Sequence, residues 1–238
     1  MLKGTGVSAG VGLGKALVLK EQELDWSGVR FAGETAEKQR LAAAAAAVSA
    51  KLDAMAAAMA EQVGAHAAEI LAGQSMMLAD PFMQGQMEEK IAGGATAEAA
   101  VDEVCQSFMQ MFGAMEDELM RQRATDIGDL RARLLKTLLG IEEADLANAP
   151  AGSVLVARDF TPSMTVGTRR ENVAGIITEG GGTTSHSAIL ARALEIPAVL
   201  GVPGALAAIA TDGRRAGPRV CGAGRAHPQG LRGPQSRI

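Results

Sequence analysis

Cysteine is scarce: the 238 residues contain only Cys105 and Cys221, far apart and in no C-x-x-C pattern. That leaves no ground for a disulfide framework or a zinc site. Long apolar runs are missing too. None approaches the roughly 20 residues that a bilayer crossing needs, and Met1 to Gly14 carries a Lys and several Gly in place of an apolar leader. A cytoplasmic protein with no membrane partner is expected. Acidic and aromatic residues are both absent from 213–238, GRRAGPRVCGAGRAHPQGLRGPQSRI, which holds 6 of the 23 basic residues. Without aromatics to stack on bases, a nucleic-acid arm is disfavoured, and the segment has neither strand nor helix periodicity. Read one base later it permits alternating Val and Leu, so it is expected to be out of frame or disordered.

The charge that is present lies elsewhere. All 27 acidic residues fall at or before Asp212, so residues 1–212, with 17 basic residues, carry a net −10. Such a body repels nucleic acid and suits a basic protein partner. A hydrophobic content of 47% is enough for one sizeable core or two small ones.

Residues 2–20 mix Gly with Val and Leu and read as a glycine-punctuated turn leading into a strand near Lys15 to Lys20. From Glu34 to about Ile141 the chain is rich in Ala, Leu, Met, Glu and Gln. Leu41, Val48, Leu52, Met55 and Met59 recur there at helical spacing, which predicts four or five helices. Asp80 followed by Pro81 marks a helix start, Gly93-Gly94 its end, and Thr96 with Glu98 the next start. After Pro150, short apolar strands at 153–157, 173–178 and 198–202 flank a helix from about Ser187 to Leu194, an α/β pattern. The fold class expected is α/β plus all-α: a mixed domain of 1–20 with 148–212, interrupted by a helical-bundle domain at 30–142. Linkers at 26–33 and 147–152 would let the two move.

The run from Thr178 to Arg192, TEGGGTTSHSAILAR, carries the chemistry. Its glycines clear space around the backbone, Thr183, Thr184 and Ser185 bring hydroxyls to His186, and Ser187 follows. A helix starting at the histidine aims amides and the positive end of its dipole at whatever the ring carries, an environment suited to a phosphoryl dianion. A neutral imidazole is a good nucleophile near pH 7. A lone histidine in a glycine turn is more often a plain helix start. The density of hydroxyls and glycines tips the reading towards catalysis.

Gly181 to Arg192 resembles the G-G-x-T-S-H-x-x-I-x-A-R signature of enzyme I, the phosphoenolpyruvate-protein phosphotransferase of the bacterial sugar phosphotransferase system. Gly6 to Gly10 with Gly14 to Ala16, Thr161 to Thr165, and Arg123 to Leu135 are similar to further elements of that family. The resemblance covers nearly all of 1–212. It implies a swivelling phosphohistidine α/β domain in which His186 is phosphorylated and Thr165 orients its ring, with Gly182, Thr183, Thr184, Ser185 and Ser187 around the phosphate. It further implies a helical domain that docks the phosphocarrier protein HPr, through Arg123 and a Met76, Met77 and Met83 ridge. For the methionines, core packing is an equally good reading. Arg123 suits phosphate steering. The family's phosphoenolpyruvate-binding C-terminal domain, with its Mg2+, has no counterpart in this sequence. The chain alone is therefore expected to be monomeric, to hold no metal or cofactor, and to exchange phosphate with HPr without accepting it from phosphoenolpyruvate.

Swivelling domains of pyruvate phosphate dikinase and phosphoenolpyruvate synthase carry a similar T-S-H segment, but lack a long helical insertion like Glu34 to Ile141. A catalytically dead HPr-binding module is the other alternative, and the intact His186 argues against it. A Walker loop at Gly10 to Lys15 fails, because Ala9 and Ala16 stand where Gly and Ser or Thr are needed.

Overall fold

The computed structural model describes residues 2–19, 24–62, 64–141, 146, 149–160, 164, 168, 171–211, 219–222 and 236–237. The chain divides into two compact units, Glu23–Ala144 and Met1–Gln22 with Asp145–Ile238.

The first unit is helical: α1 Glu34–Gln62, α2 Ala65–Leu78, α3 Pro81–Ala92, α4 Ala97–Gly113 and α5 Glu118–Leu138. Local chemistry sets its boundaries. The Asp80 carboxylate accepts from the amides of Phe82 and Met83 at 2.8 and 3.2 Å, with Pro81 in the first turn, where a missing N–H costs nothing. Asp117 caps α5 the same way, and Thr96 caps α4. On α1 the sequence spacing becomes a face: Leu41, Ala44, Val48, Leu52 and Met59 are all buried. Among the described residues, α1 is long and apolar enough by length and composition to pass as a membrane span, its best window reaching a mean hydropathy of 1.4, contrary to the expectation that no such run exists. Alanines produce that value; Lys51 and Asp53 interrupt them, and the bulky side chains are engaged in helix packing.

An ion cluster joins α1 to α4. Glu37 and Glu98 are fully buried, and Arg40 reaches both, bonding Glu37 Oε2 at 2.7 Å and Glu98 through two nitrogens. Glu37 also accepts from the amides of Ala97, the first residue of α4, at 2.9 Å and of Ala32 at 3.0 Å. Burial by itself would push the Glu37 carboxyl up; the two amides and Arg40 outweigh it and hold the group below its ordinary 4.5. A carboxyl whose pKa drops on folding stabilises the fold above its unfolded value and loses that contribution as pH falls through the folded one. Urea midpoints are therefore expected to fall as pH is lowered below about 4.5, and Glu37→Gln to flatten that dependence.

Cys105 is buried between α4 and α5, and burial pushes its thiol up to about 12. The thiolate is the reactive form, so alkylation of Cys105 at pH 8 is expected only on unfolding; prompt labelling of the Cys105 peptide in the native chain would refute this.

In the second unit the six-stranded sheet runs β3 Lys15–Val18, β4 Ser153–Ala157, β5 Val173–Thr178, β6 Ala198–Leu200, β1 Lys3–Ser8 and β8 Ser236–Arg237. β3 to β6 are parallel, and β1 lies antiparallel to β6. Every residue of β4 is buried, which accounts for the unbroken apolar run VLVA after Ser153. One core gathers Val154, Val156, Ile177, Val199, Val202 and Ala205. Helices α6 His186–Ala193 and α7 Ala205–Thr211 complete the unit.

Two stretches differ from expectation. The glycine-rich opening is not a turn before one strand but three short strands, β1, β2 Gly10–Leu13 and β3. The glycines permit close approach: a Cβ on Gly12 would run into the Ala174 carbonyl, and one on Gly14 into that of Gly152. Within 213–238, expected to lack regular structure, β7 Arg219–Gly222 pairs with β2, and β8 pairs with β1.

Candidate functional site

β5 ends at Thr178 and α6 begins at His186, so the histidine stands at a helix start beyond the carboxyl end of a parallel strand. The connection is tightly wired. Thr178 Oγ1 donates to Gly180 O at 2.6 Å, Gly180 N to Arg158 O at 2.7 Å, and Gly201 N to Gly180 O at 3.0 Å. Gly181 has φ +83°, and a Cβ there would lie 3.1 Å from Ser185 Oγ, so only glycine fits without strain. Ser185 caps α6, accepting from Ala188 N at 3.3 Å and donating to Gly182 O at 2.9 Å.

The expected phosphate-binding residues divide. Thr183 and Thr184 are exposed in the turn just before the histidine, and Gly182 and Ser185 are half-buried. Ser187 does not join them. It is buried, and its hydroxyl is committed at 2.6 Å to Asp159 Oδ1 and at 3.0 Å to Phe160 O, so it presents no O–H to an incoming phosphate. Thr165 lies outside the described residues. Sequence reasoning missed two contributors. Asp159 follows β4, in a loop with no local signal for its role. Arg192 stood in the quoted signature without an assignment: its Nε donates to Val7 O at 3.0 Å and its Nη2 to Thr183 O at 2.6 Å, tying the threonine turn to β1. Among the described residues, no group of three or more His, Cys, Asp or Glu is placed to hold a metal.

The residues expected to dock a partner lie in the helical unit. Arg123 is exposed on α5, 3.8 Å from the buried carboxylate of Asp126. Met76 is 76% exposed and Met77 half-buried, but Met83 is buried inside the bundle and cannot be part of a surface ridge. α3 directs Met83, Met87 and Ile91 inward at helical spacing, and Phe82, one residue earlier, points out. Phe82, Met111, Met115, Leu119 and Met120 are all exposed at the α2–α3 and α4–α5 junctions. Phe82 meets Phe108 edge-on at 6.1 Å, and Phe108 stacks on Phe112 at 6.4 Å. The sequence signal available for these residues was their position beside the caps Asp80 and Asp117.

The chain matches the family model for the N-terminal part of PEP-utilising enzymes over residues 3–123 and that for their mobile domain over 149–216. It is 38% identical over 212 residues to a phosphoenolpyruvate-protein phosphotransferase of Listeria innocua, covering 89% of this chain and 37% of that one. It is 40% identical over 203 residues to the protein of the same name from Streptococcus equinus, covering 84% and 35%. The chain thus spans a little over a third of the length of the curated relatives it matches. A solution structure of Enzyme I superposes with a TM-score of 0.71 at 30% identity, covering 93% of this chain and 89% of that one.

Proposed function

The chain belongs to the PEP-utilising enzyme family, and on that premise we propose that His186 carries a phosphoryl group between phosphoenolpyruvate and the phosphocarrier protein HPr in sugar uptake. The observation that supports this most directly is the start of α6 at His186, with two exposed threonines and a positive-φ glycine in the turn before it. A neutral ring nitrogen attacks phosphorus, the bond to the donor breaks, and the phosphoramidate formed later yields the same group to the next acceptor. The helix dipole and the threonine turn offset the added negative charge. The donor is taken to be phosphoenolpyruvate, as the relatives' names state. The Mg2+ of the resemblance is assigned to no residue of this chain.

HPr as partner is supported by the helical unit. Residues 23–144 carry 20 acidic and 10 basic residues, so the net −10 of the body resides there. Exposed Met76, Phe82, Leu119 and Met120 add adaptable apolar contacts, and Arg123 a cation for a phosphorylated partner. This acidic, methionine-rich surface suits a basic, transient partner. The long helical insertion favours this function over that of the dikinase type. Incubation with phosphorylated HPr, followed by peptide mass spectrometry under alkaline conditions, should find the phosphoryl adduct on the His186 peptide. A peptide that stays unmodified would sink the reading.

A further inference from the structure

We infer that Asp159 and Ser187 form a positioning pair that sets the first turn of α6, and with it the backbone of His186, against the loop leaving β4. The inference rests on the phosphohistidine reading and adds two residues to it. Ser187 follows the histidine directly, yet it is buried and its hydroxyl points away from solvent into the 158–160 loop. Its single proton goes to one acceptor at a time, and Asp159 Oδ1 at 2.6 Å is the nearer, charged one; Phe160 O at 3.0 Å is the reserve. The same Oδ1 also accepts from Phe160 N at 2.8 Å, so the carboxylate holds its own loop as it holds the helix.

The other side of the histidine is pinned by Ser185, which caps the helix and donates to Gly182 O. His186 is therefore bracketed by two serines, one fixing the turn before it and one fixing the turn after it to a different strand exit. β4 and β5 are neighbouring parallel strands whose exits are already joined by Glu179 N to Ala157 O at 3.1 Å and Gly180 N to Arg158 O at 2.7 Å. The Ser187 to Asp159 bond extends that seam to the helix carrying the nucleophile. Neither residue reacts with phosphate; both act through the placement of the imidazole, where an error of 1 Å costs on the order of 100-fold in rate.

The test is phosphoryl exchange between this chain and phosphorylated HPr, with the His186 imidazole followed by NMR titration. Ser187→Ala is expected to lower kcat on the order of 10-fold to 100-fold with KM for the carrier changed less than about twofold, and to move the imidazole titration. Ser187→Thr, which keeps the hydroxyl, should recover most of the rate. Asp159→Ala cuts the same bond from a half-buried loop without touching α6 packing. Its loss should be smaller, because Phe160 O remains, and the double variant no slower than Ser187→Ala alone. Unchanged kcat in Ser187→Ala, or losses that multiply in the double variant, would overturn the pair. If the wild-type chain takes no phosphate, the phosphohistidine reading fails instead. The pair is then judged on the titration: a shift in Ser187→Ala upholds it, and an unmoved curve removes it.

Discussion

His186→Ala should eliminate phosphoryl exchange with phosphorylated HPr while leaving the carrier bound. Removal of a covalent nucleophile typically costs on the order of four to six decades in rate, so labelling should fall to background. The residues proposed to dock the carrier lie in the unit Glu23–Ala144, whereas His186 belongs to the other unit. Binding measured by calorimetry should therefore stay within about twofold of wild type. Residual labelling elsewhere on the variant would identify a different acceptor. Loss of binding together with labelling would mean that the histidine helix is itself part of the docking surface.

Arg40→Met is expected to have the largest effect on stability. The substitution strips the cation from two carboxylates, Glu37 and Glu98, that are both fully buried. Breaking a fully buried pair costs about 3–5 kcal/mol; Arg40 keeps about a third of its surface in water, so a loss of about 2–3 kcal/mol is expected. Urea unfolding at pH 7 measures it. The penalty arises from stranded charge and not from lost volume, so adding Glu98→Gln should restore most of the loss. A loss under about 1 kcal/mol at pH 7 would show that Arg40 does not hold α1 to α4.

Features written in neighbouring residues could be read without the structure. Asp80 before Pro81, and Thr96 after a glycine pair, fix helix starts through bonds that reach only two or three positions, and both caps form. The helix at His186 was legible for the same reason. Features that depend on distant partners were not. Ser187 looks like one more hydroxyl beside a phosphate until the 158–160 loop, 28 residues earlier, claims its proton. Met76 and Met83 are alike in sequence, and only the inward face of α3 separates the buried one from the exposed one. The glycine strands β1 and β2 hid behind their composition, because a residue chosen to let two backbones touch carries no hydrophobic alternation to read.

β1 pairs with β6, so residues from the first ten of the chain meet residues near 200, and β3 lies beside β4 across the whole helical unit. On a ribosome, the opening strands must wait for most of the polypeptide before their partners emerge. The helices find their partners within one continuous stretch, 23–144, need no such delay and can assemble during synthesis. The half that holds His186 would thus be the last to mature, after the helical unit has already folded.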